Sequence, residues 1–364
     1  MSAYHRPAAN IARTILSSPC CRLVSRATSS SIIREENQNP NYDPRKYYPA
    51  YIGETISRRY RILSKLGWGA NSTVWLAKDI GRSSNRYVTL KITNCGKEEQ
   101  RSASEEVEMS RYMSQLQSNH EGRAYVRLVR ESFCNQGAQG EHLCLVFEPL
   151  REPLWLLGKH LGSNGVPPAV LKPFLRLLLQ GLDFLHSECQ IIHTDLKADN
   201  FLLGFEDSSV LESYARQQES NPAPFWDGDG HPVFQSCPDF GHLRKGVGLV
   251  QISDFSAAVF GNVPEPHNHD IQPQPFCAPE ALLKATWTYS ADIWNLGTML
   301  WELLADHVLF DGLDPGSSTY SRGKHLAQMI RLLGPPPLQL LERADQGICS
   351  ELFSSHGMSA SSIY

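Results

Sequence analysis

No run in the 364 residues approaches the roughly 18 consecutive apolar residues needed to span a bilayer. There is no excess of positive charge either: 34 Lys and Arg stand against 38 Asp and Glu, for a net charge of −4. That excludes a global basic footprint, so neither nucleic acid nor a membrane is an expected partner. No Cys-x-x-Cys pair occurs, and the nine cysteines are odd in number and irregularly spaced. A disulfide framework or zinc site is not expected, and a reducing compartment fits better. Hydrophobic residues make up 41% and charged residues 20%. Such a soluble chain can bury a sizeable core, which excludes a mostly disordered or fibrous protein. Its length allows one large domain or two ordinary ones.

Acidic residues are missing altogether from the first 34 positions, which hold five arginines and many Ser and Thr. This start resembles a mitochondrial transit peptide, although Pro7 and Pro19 interrupt any long amphipathic helix; the plainer reading is a disordered leader over 1–45. Residues 35–57 are rich in Pro, Asn and Tyr and read as a linker lying against the next domain. Short β-type runs then follow at 60–67, 72–79, 87–93, 125–133 and 142–150. Between them 98–117 reads as a helix, with Met109, Met113 and Leu116 on one face. After Pro149 the pattern turns helical, at 169–187, 289–305 and 323–333. The polar, Gly- and Pro-rich stretch 206–248 reads as an insertion. A β-rich lobe (60–148), a helical lobe (149–345) and a Ser-rich tail (346–364) predict a two-lobed α+β domain.

Gly67-Trp68-Gly69-Ala70-Asn71-Ser72 lies between two strand-like runs. Glycines there would let backbone N–H groups approach phosphates, though an ordinary hairpin turn explains the loop as well. Lys91 stands inside an apolar strand, where a lysine usually just points to solvent. Placed 22 residues past Gly69, it suits a cation reaching nucleotide phosphates. Glu105, Glu106 and Glu108 on the following helix offer it a carboxylate; periodicity leaves Glu105 and Glu106 equally placed.

The segment His193-Thr194-Asp195-Leu196-Lys197-Ala198-Asp199-Asn200, between apolar flanks, carries the most chemistry. Its Asp, Lys and Asn could supply a proton acceptor, a phosphate cation and a metal-coordinating amide. Two aspartates compete as a second metal ligand. Asp239-Phe240-Gly241 has the letters of a known magnesium-binding triplet, but it sits in the insertion with no strand to position it. Asp254-Phe255-Ser256 follows the strand-like 248–252 and is preferred, since a metal ligand needs a rigid strand end. Asp292, early in an apolar helix, reads as a buried anchor or a helix cap.

In this order the motifs resemble a eukaryotic protein kinase, and within that family the SR-protein kinases and their fungal relatives. The resemblance is carried by YYPAYIGETISRRYRILSKLGWGANSTVWLAKD at 47–79, LVFEPL at 145–150, HTDLKADN at 193–200 and LGPPP at 333–337. It implies a bilobal kinase fold and an enzyme transferring the γ-phosphoryl of ATP, with Mg2+, to protein Ser/Thr hydroxyls. Arg/Ser-rich splicing factors are the implied substrates, the cytoplasm and nucleus the implied location, and a monomer the implied state. Asp195 is then the catalytic base and Lys197 the γ-phosphate cation. Asn200 and Asp254 become the magnesium ligands. Lys91 takes the α- and β-phosphates, and the family pattern pairs it with Glu106. Leu66, Gly67, Gly69, Ser72, Val74, Phe147 as gatekeeper, Glu148 opening the hinge, and Leu150 complete the nucleotide site. Asp292 would accept backbone N–H bonds from the catalytic loop. Thr194 replaces the arginine that docks a phosphorylated activation loop, implying activity without that modification. Ser256 replaces a glycine. The family also continues past LGPPP with further helices and an arginine for Glu280, so the last C-lobe helices are expected to be missing. The alternative is therefore a nucleotide-binding scaffold without turnover.

Overall fold

A computed structural model describes residues 35–36, 39, 42–81, 86–163, 165–228, 231–243, 248–314 and 319–355. The Arg-rich first 34 residues lie outside these residues, as does the end of the Ser-rich tail; in the rest of the stretch read as a disordered leader, Glu35 and Glu36 are buried and Pro44–Lys46 forms a turn. In chain order the elements are β1 Thr55–Ile56, β2 Tyr60–Trp68, β3 Ser72–Asp79, β4 Arg86–Thr93, α1 Lys97–Gln115, β5 Glu131–Gln136 and β6 Glu141–Phe147. There follow α2 Leu156–His160, α3 Pro168–Asp183, β7 Ile191–Ile192, β8 Phe201–Leu203, α4 Ser208–Ser220, β9 Phe225–Gly228, β10 His231–Phe234, β11 Val250–Ile252 and β12 Val259–Phe260. The chain closes with α5 Pro279–Leu282, α6 Ser290–Ala305, α7 Arg322–Leu333, α8 Leu338–Arg343 and α9 Gln346–Ser355. Two compact units result. Of the described residues, one comprises those up to 116 with those in 127–152 and 202–251; the other comprises those in 117–126, 153–201 and 252–355.

The first unit is built on a six-stranded antiparallel sheet ordered β1-β2-β3-β4-β6-β5. Side chains alternate across a strand, and β4 uses the alternation fully. Val88, Leu90 and Ile92 enter one core with Trp75, Ala77, Cys144 and Val146. Thr89, Lys91 and Thr93 take the opposite face, the one on which Leu145 and Phe147 pack with Ala103 of α1. Helix α1 contains neither Pro nor Gly, carries Glu98 and Glu99 in its first turn, and buries Ala103, Glu106, Met109, Ser110 and Met113. That stripe puts Glu106 inward, whereas Glu105 is exposed and pairs with Arg101.

The segment read as a linker covers the other face of the sheet: Ala50 and Ile56 are core residues there, joined by Phe234 from β10. The 206–248 insertion is likewise not an independent polar loop. It groups with the sheet unit rather than with the helical one in which the sequence pattern set it. Val210, Tyr214 and Ala215 of α4 pack with Phe240 against Leu63 and Leu76. The run 125–133 becomes a strand only from Glu131. Val126 instead bridges to Ile252 in the second unit, and the chain enters the first unit just after it.

Two buried ionic clusters hold these additions. Arg151 donates to both carboxylate oxygens of Glu206 (2.7 and 2.6 Å), to Glu152 (3.1 Å) and to the Gly241 carbonyl (2.7 Å). Burial would lower its pKa, but Glu152 and Glu206 outweigh that and raise it. Lys65 of β2, 1% exposed, pairs with Glu36 and Glu35 and donates to the Phe234 carbonyl at 2.9 Å. Two carboxylates thus share one ammonium, and burial raises the Glu35 pKa above its ordinary 4.5.

The second unit is helical. Leu171, Phe174, Leu178 and Leu182 form the buried face of α3, which opens with a proline and continues as a π-turn over Phe184–Glu188. Trp287, Phe310, Leu326 and Met329 centre its core. Helix α6 ends on Asp306 in the left-handed region (φ 58°) and α7 ends on Gly334 (φ 88°), before three prolines. The segment read as a tail opens with α9, whose Cys349 and Leu352 join this core. The seven described cysteines are all free thiols, and no described helix is long and apolar enough to cross a membrane.

The charge imbalance around Lys65 yields a paired prediction. Lys65→Met strands two buried carboxylates and should cost about 3–5 kcal/mol in urea denaturation. Glu35→Gln keeps the Ser236 N–H bond on Oε1, lets the Ser236 hydroxyl turn to accept from Nε2, and should be neutral or stabilising at pH 7. A raised folded pKa makes wild-type stability fall as pH climbs through and above 4.5, so the Glu35→Gln advantage should grow over that range. Equal losses in both variants would count against this account.

Candidate active site

In the second unit, the loop between β7 and β8 is held from below by α6. Asp292, fully buried, accepts the N–H of His193 on Oδ2 and the N–H of Thr194 on Oδ1, both at 2.8 Å. His186 Nε2 lies 2.8 Å from the same Oδ2. One turn along the helix, Asn295 accepts the Leu196 N–H (3.2 Å) and donates to the Phe276 carbonyl (2.7 Å). These bonds hold Thr194 at φ 65°, a left-handed conformation that a β-branched residue seldom adopts. Its hydroxyl donates to the Ala257 carbonyl at 2.8 Å. His193 meets the Ser253 carbonyl through Nε2 (3.1 Å), and its ring packs beside Phe255.

Asp195 is held asymmetrically. Its Oδ2 accepts from Lys197 Nζ at 2.6 Å and from Asn200 Nδ2 at 3.2 Å, and Asn200 also donates to its backbone carbonyl at 2.8 Å. Its Oδ1 is buried and has no hydrogen-bond partner among the described residues. Burial would depress the Lys197 pKa, but the carboxylates of Asp195 and Asp254 outweigh it and raise it, so the ammonium stays charged. Asp254 adopts φ 68° and accepts from the Ser256 hydroxyl at 2.8 Å; beside it, Ser253 N–H donates to the Asn200 carbonyl at 2.8 Å. Asp195, Lys197, Asn200 and Asp254 are therefore gathered in one place.

In the first unit, strand register sets Gly67 opposite Val74 and Val74 opposite Lys91. Opposed residues of an antiparallel pair share a face. Lys91 Nζ donates to Glu106 Oε2 at 2.7 Å, which resolves the choice that periodicity left between Glu105 and Glu106. Gly67 and Gly69 have negative φ, and a Cβ at either would meet nothing within 4 Å. Neither turn geometry nor packing within the chain requires glycine there. Ser72 opens β3 and is buried, and half-buried Leu66 packs against the Leu63–Leu76 cluster. Phe147 is buried beneath the Arg127 guanidinium, 4.6 Å from its ring centroid. Arg127 also donates to the Glu148 carbonyl at 2.9 Å, which retains a second lone pair, and Arg86 and Arg130 hold the Glu148 carboxylate. Leu150 is half-buried just beyond.

Asp239 lies elsewhere. It accepts the Gly241 N–H at 2.8 Å within its own turn, while Phe240 is a core residue of the insertion. The letters of that triplet thus serve packing in the sheet unit, and Asp254 stands beside Asn200.

Residues 60–352 match the protein kinase domain. A serine/threonine protein kinase of Aspergillus fumigatus is 38% identical over 320 residues, covering 87% of this chain and 75% of the relative. Serine/threonine-protein kinase SRPK of Physarum polycephalum is 31% identical over 346 residues, 89% of this chain and 78% of its own. Human SRSF protein kinase 3 is 34% identical over 197 residues, 52% of this chain and 34% of its own. The chain belongs to the SR-protein kinase family. It is a protein serine/threonine kinase by class, and its α+β architecture is the kinase fold.

In this kinase, residues 257–280 contain no Ser, Thr or Tyr, so past Ser256 the segment up to Ala278-Pro279-Glu280 offers no hydroxyl to phosphorylate. It is tied down instead by Thr194 on Ala257, by His267 stacked 4.7 Å from Trp287, and by Asp270 paired with Lys284 at 2.7 Å. Glu280 accepts from the Ser290 hydroxyl at 3.0 Å. Arg151, Lys65 and Asn295 escaped the sequence pattern, because their partners lie far along the chain.

Removing the anchor should be costly. Asp292→Ala leaves the His193 and Thr194 N–H groups unpaired in the interior, and should destabilise the protein by about 3–5 kcal/mol in denaturant melts. A loss below about 1 kcal/mol would contradict the anchoring role.

Proposed function

We propose that this kinase transfers the γ-phosphoryl group of Mg-ATP to Ser/Thr hydroxyls of Arg/Ser-rich proteins such as splicing factors. The observation that carries this reading is the half-satisfied Asp195 carboxylate. Oδ2 is immobilised by Lys197 and Asn200, while Oδ1 is buried and without a partner. An unmet buried acceptor is costly unless a ligand donor completes it, and a substrate hydroxyl is such a donor. Asp195 orients that hydroxyl and takes its proton as the oxygen bonds to the γ-phosphorus and the bond to the ADP oxygen breaks. Lys197 holds positive charge beside the transferred group, and Lys91, fixed by Glu106, binds the α- and β-phosphates. Asn200 and Asp254 would hold Mg2+, which supplies charge neutralisation at the phosphate oxygens. In the first unit, the side-chain-free space at Gly67 and Gly69 would admit a phosphate.

The preference for Arg-rich substrates is supported by family membership and by charge. The unit carrying Asp195 contains 17 Asp and Glu against 10 Lys and Arg. A basic peptide is drawn to such a surface in a salt-dependent way.

The test is phosphate transfer from Mg-ATP to an Arg/Ser peptide. Asp195→Asn should cut turnover by at least about 100-fold while leaving ATP binding intact. Wild-type binding without any transfer would instead identify a nucleotide-binding scaffold. Phosphatase treatment of the purified kinase should leave its rate unchanged, since Thr194 and the hydroxyl-poor segment after Ser256 provide no phosphate latch; inactivation on dephosphorylation would refute this.

A further inference from the structure

The strap of residues 42–56 reaches the glycine-rich turn through Tyr47. The Tyr47 hydroxyl lies 3.0 Å from the Gly69 carbonyl and 2.8 Å from the Ala70 carbonyl. Asn94 supports the arrangement, donating from Nδ2 to the Ala70 carbonyl at 3.0 Å and from its backbone N–H to the Asn71 carbonyl at 2.9 Å. Tyr47 is 7% exposed, and burial raises its pKa, so the phenol stays an O–H donor.

The peptide plane turns this contact into a statement about the opposite side of the turn. In a planar trans peptide, the carbonyl of one residue and the N–H of the next point in opposite directions. With the Gly69 and Ala70 carbonyls drawn toward Tyr47, the N–H groups of Ala70 and Asn71 face away from it. Neither N–H has a partner among the described residues. Two successive unpartnered N–H groups form an anion-binding concavity.

We propose that Tyr47 is a positioning residue for the nucleotide: by gripping the carbonyls of Gly69 and Ala70, it aims the N–H groups of Ala70 and Asn71 at the phosphates. The inference rests on the ATP reading above and adds to it a residue upstream of the kinase-domain match. The strap that carries Tyr47 is fixed on both sides. Lys46 pairs with Glu99 in the first turn of α1 at 3.1 Å and accepts the Cys95 N–H on its carbonyl at 3.0 Å. The Gly53 N–H donates to the Ile62 carbonyl at 2.8 Å. Tyr47 is thereby an extension of a tethered segment rather than a loose side chain.

The decisive experiment is calorimetric titration of the full chain with adenosine and with Mg-ATP, comparing wild type with Tyr47→Phe. Loss of one orienting hydrogen bond should weaken Mg-ATP binding by about two- to ten-fold and leave adenosine unchanged. Asn94→Ala, which removes the second side-chain donor to the Ala70 carbonyl, should show the same phosphate-selective loss. Melting temperatures of both variants serve as the folding check. Equal weakening of adenosine and Mg-ATP, or no weakening in either variant, overturns the role of Tyr47 while leaving the nucleotide reading intact. Failure of the wild-type chain to bind Mg-ATP overturns that reading, and this inference with it.

Discussion

A single buried carboxylate sets the geometry of the candidate active site. Asp292 has been removed from water entirely, a costly step for a charge, and three donors compensate it. Two of those donors are successive backbone N–H groups of the loop that continues into Asp195. The loop conformation is therefore dictated from underneath, by a helix with its own apolar packing. Asn295 repeats the device one turn later. Because the side chains of Asp195, Lys197 and Asn200 bond to one another, a loop held at three backbone N–H groups suffices to fix all three.

The sheet unit solves a different problem. Lys91, which pairs with Glu106, has to stand in a strand whose alternate residues are apolar, without being drawn into the core. Strand alternation separates the two demands in β4: Thr89, Lys91 and Thr93 on one face, Val88, Leu90 and Ile92 on the other. The second set then needs cover of its own. That cover comes from Ala50 and Ile56 before the sheet and from Phe234 long after it. The strap and Phe234 of the insertion thus serve the apolar face of the sheet opposite Lys91.

Much of this was legible in the residue pattern. Helices at 97–115, 168–183, 290–305 and 322–333 follow from apolar periodicity and from Pro and Gly punctuation, and they fall within a few residues of expectation. The preference for Asp254 over Asp239 follows from the strand-like run before it; Asp254 lies near Lys197 in the second unit, and Asp239 lies in the first. What could not be read were pairings between distant segments. Lys65 reads as an ordinary strand lysine until Glu35 and Glu36, some 30 residues upstream, are placed beside it. Arg151 has no visible partner until the insertion returns Glu206 and Gly241 to it. The 125–133 run looked like a strand because its composition is that of one, but tertiary context used Val126 elsewhere. Glu106 could have been separated from Glu105 by centring the helix face on Ala103, Met109 and Met113.

The strap has a consequence for where the folding unit begins. Homology starts the domain at Tyr60, yet Ala50 and Ile56 lie on the sheet face with Trp75, Leu90 and Val146, each almost wholly buried. A chain cut at the homology boundary would present that face to solvent as a broad, flat apolar surface, the kind that recruits neighbouring chains. Such a fragment would be expected to self-associate and to express poorly even with every motif intact. The physical start of this domain is therefore at least as early as Glu35, and recombination or truncation upstream of Tyr60 is constrained by solubility rather than by chemistry.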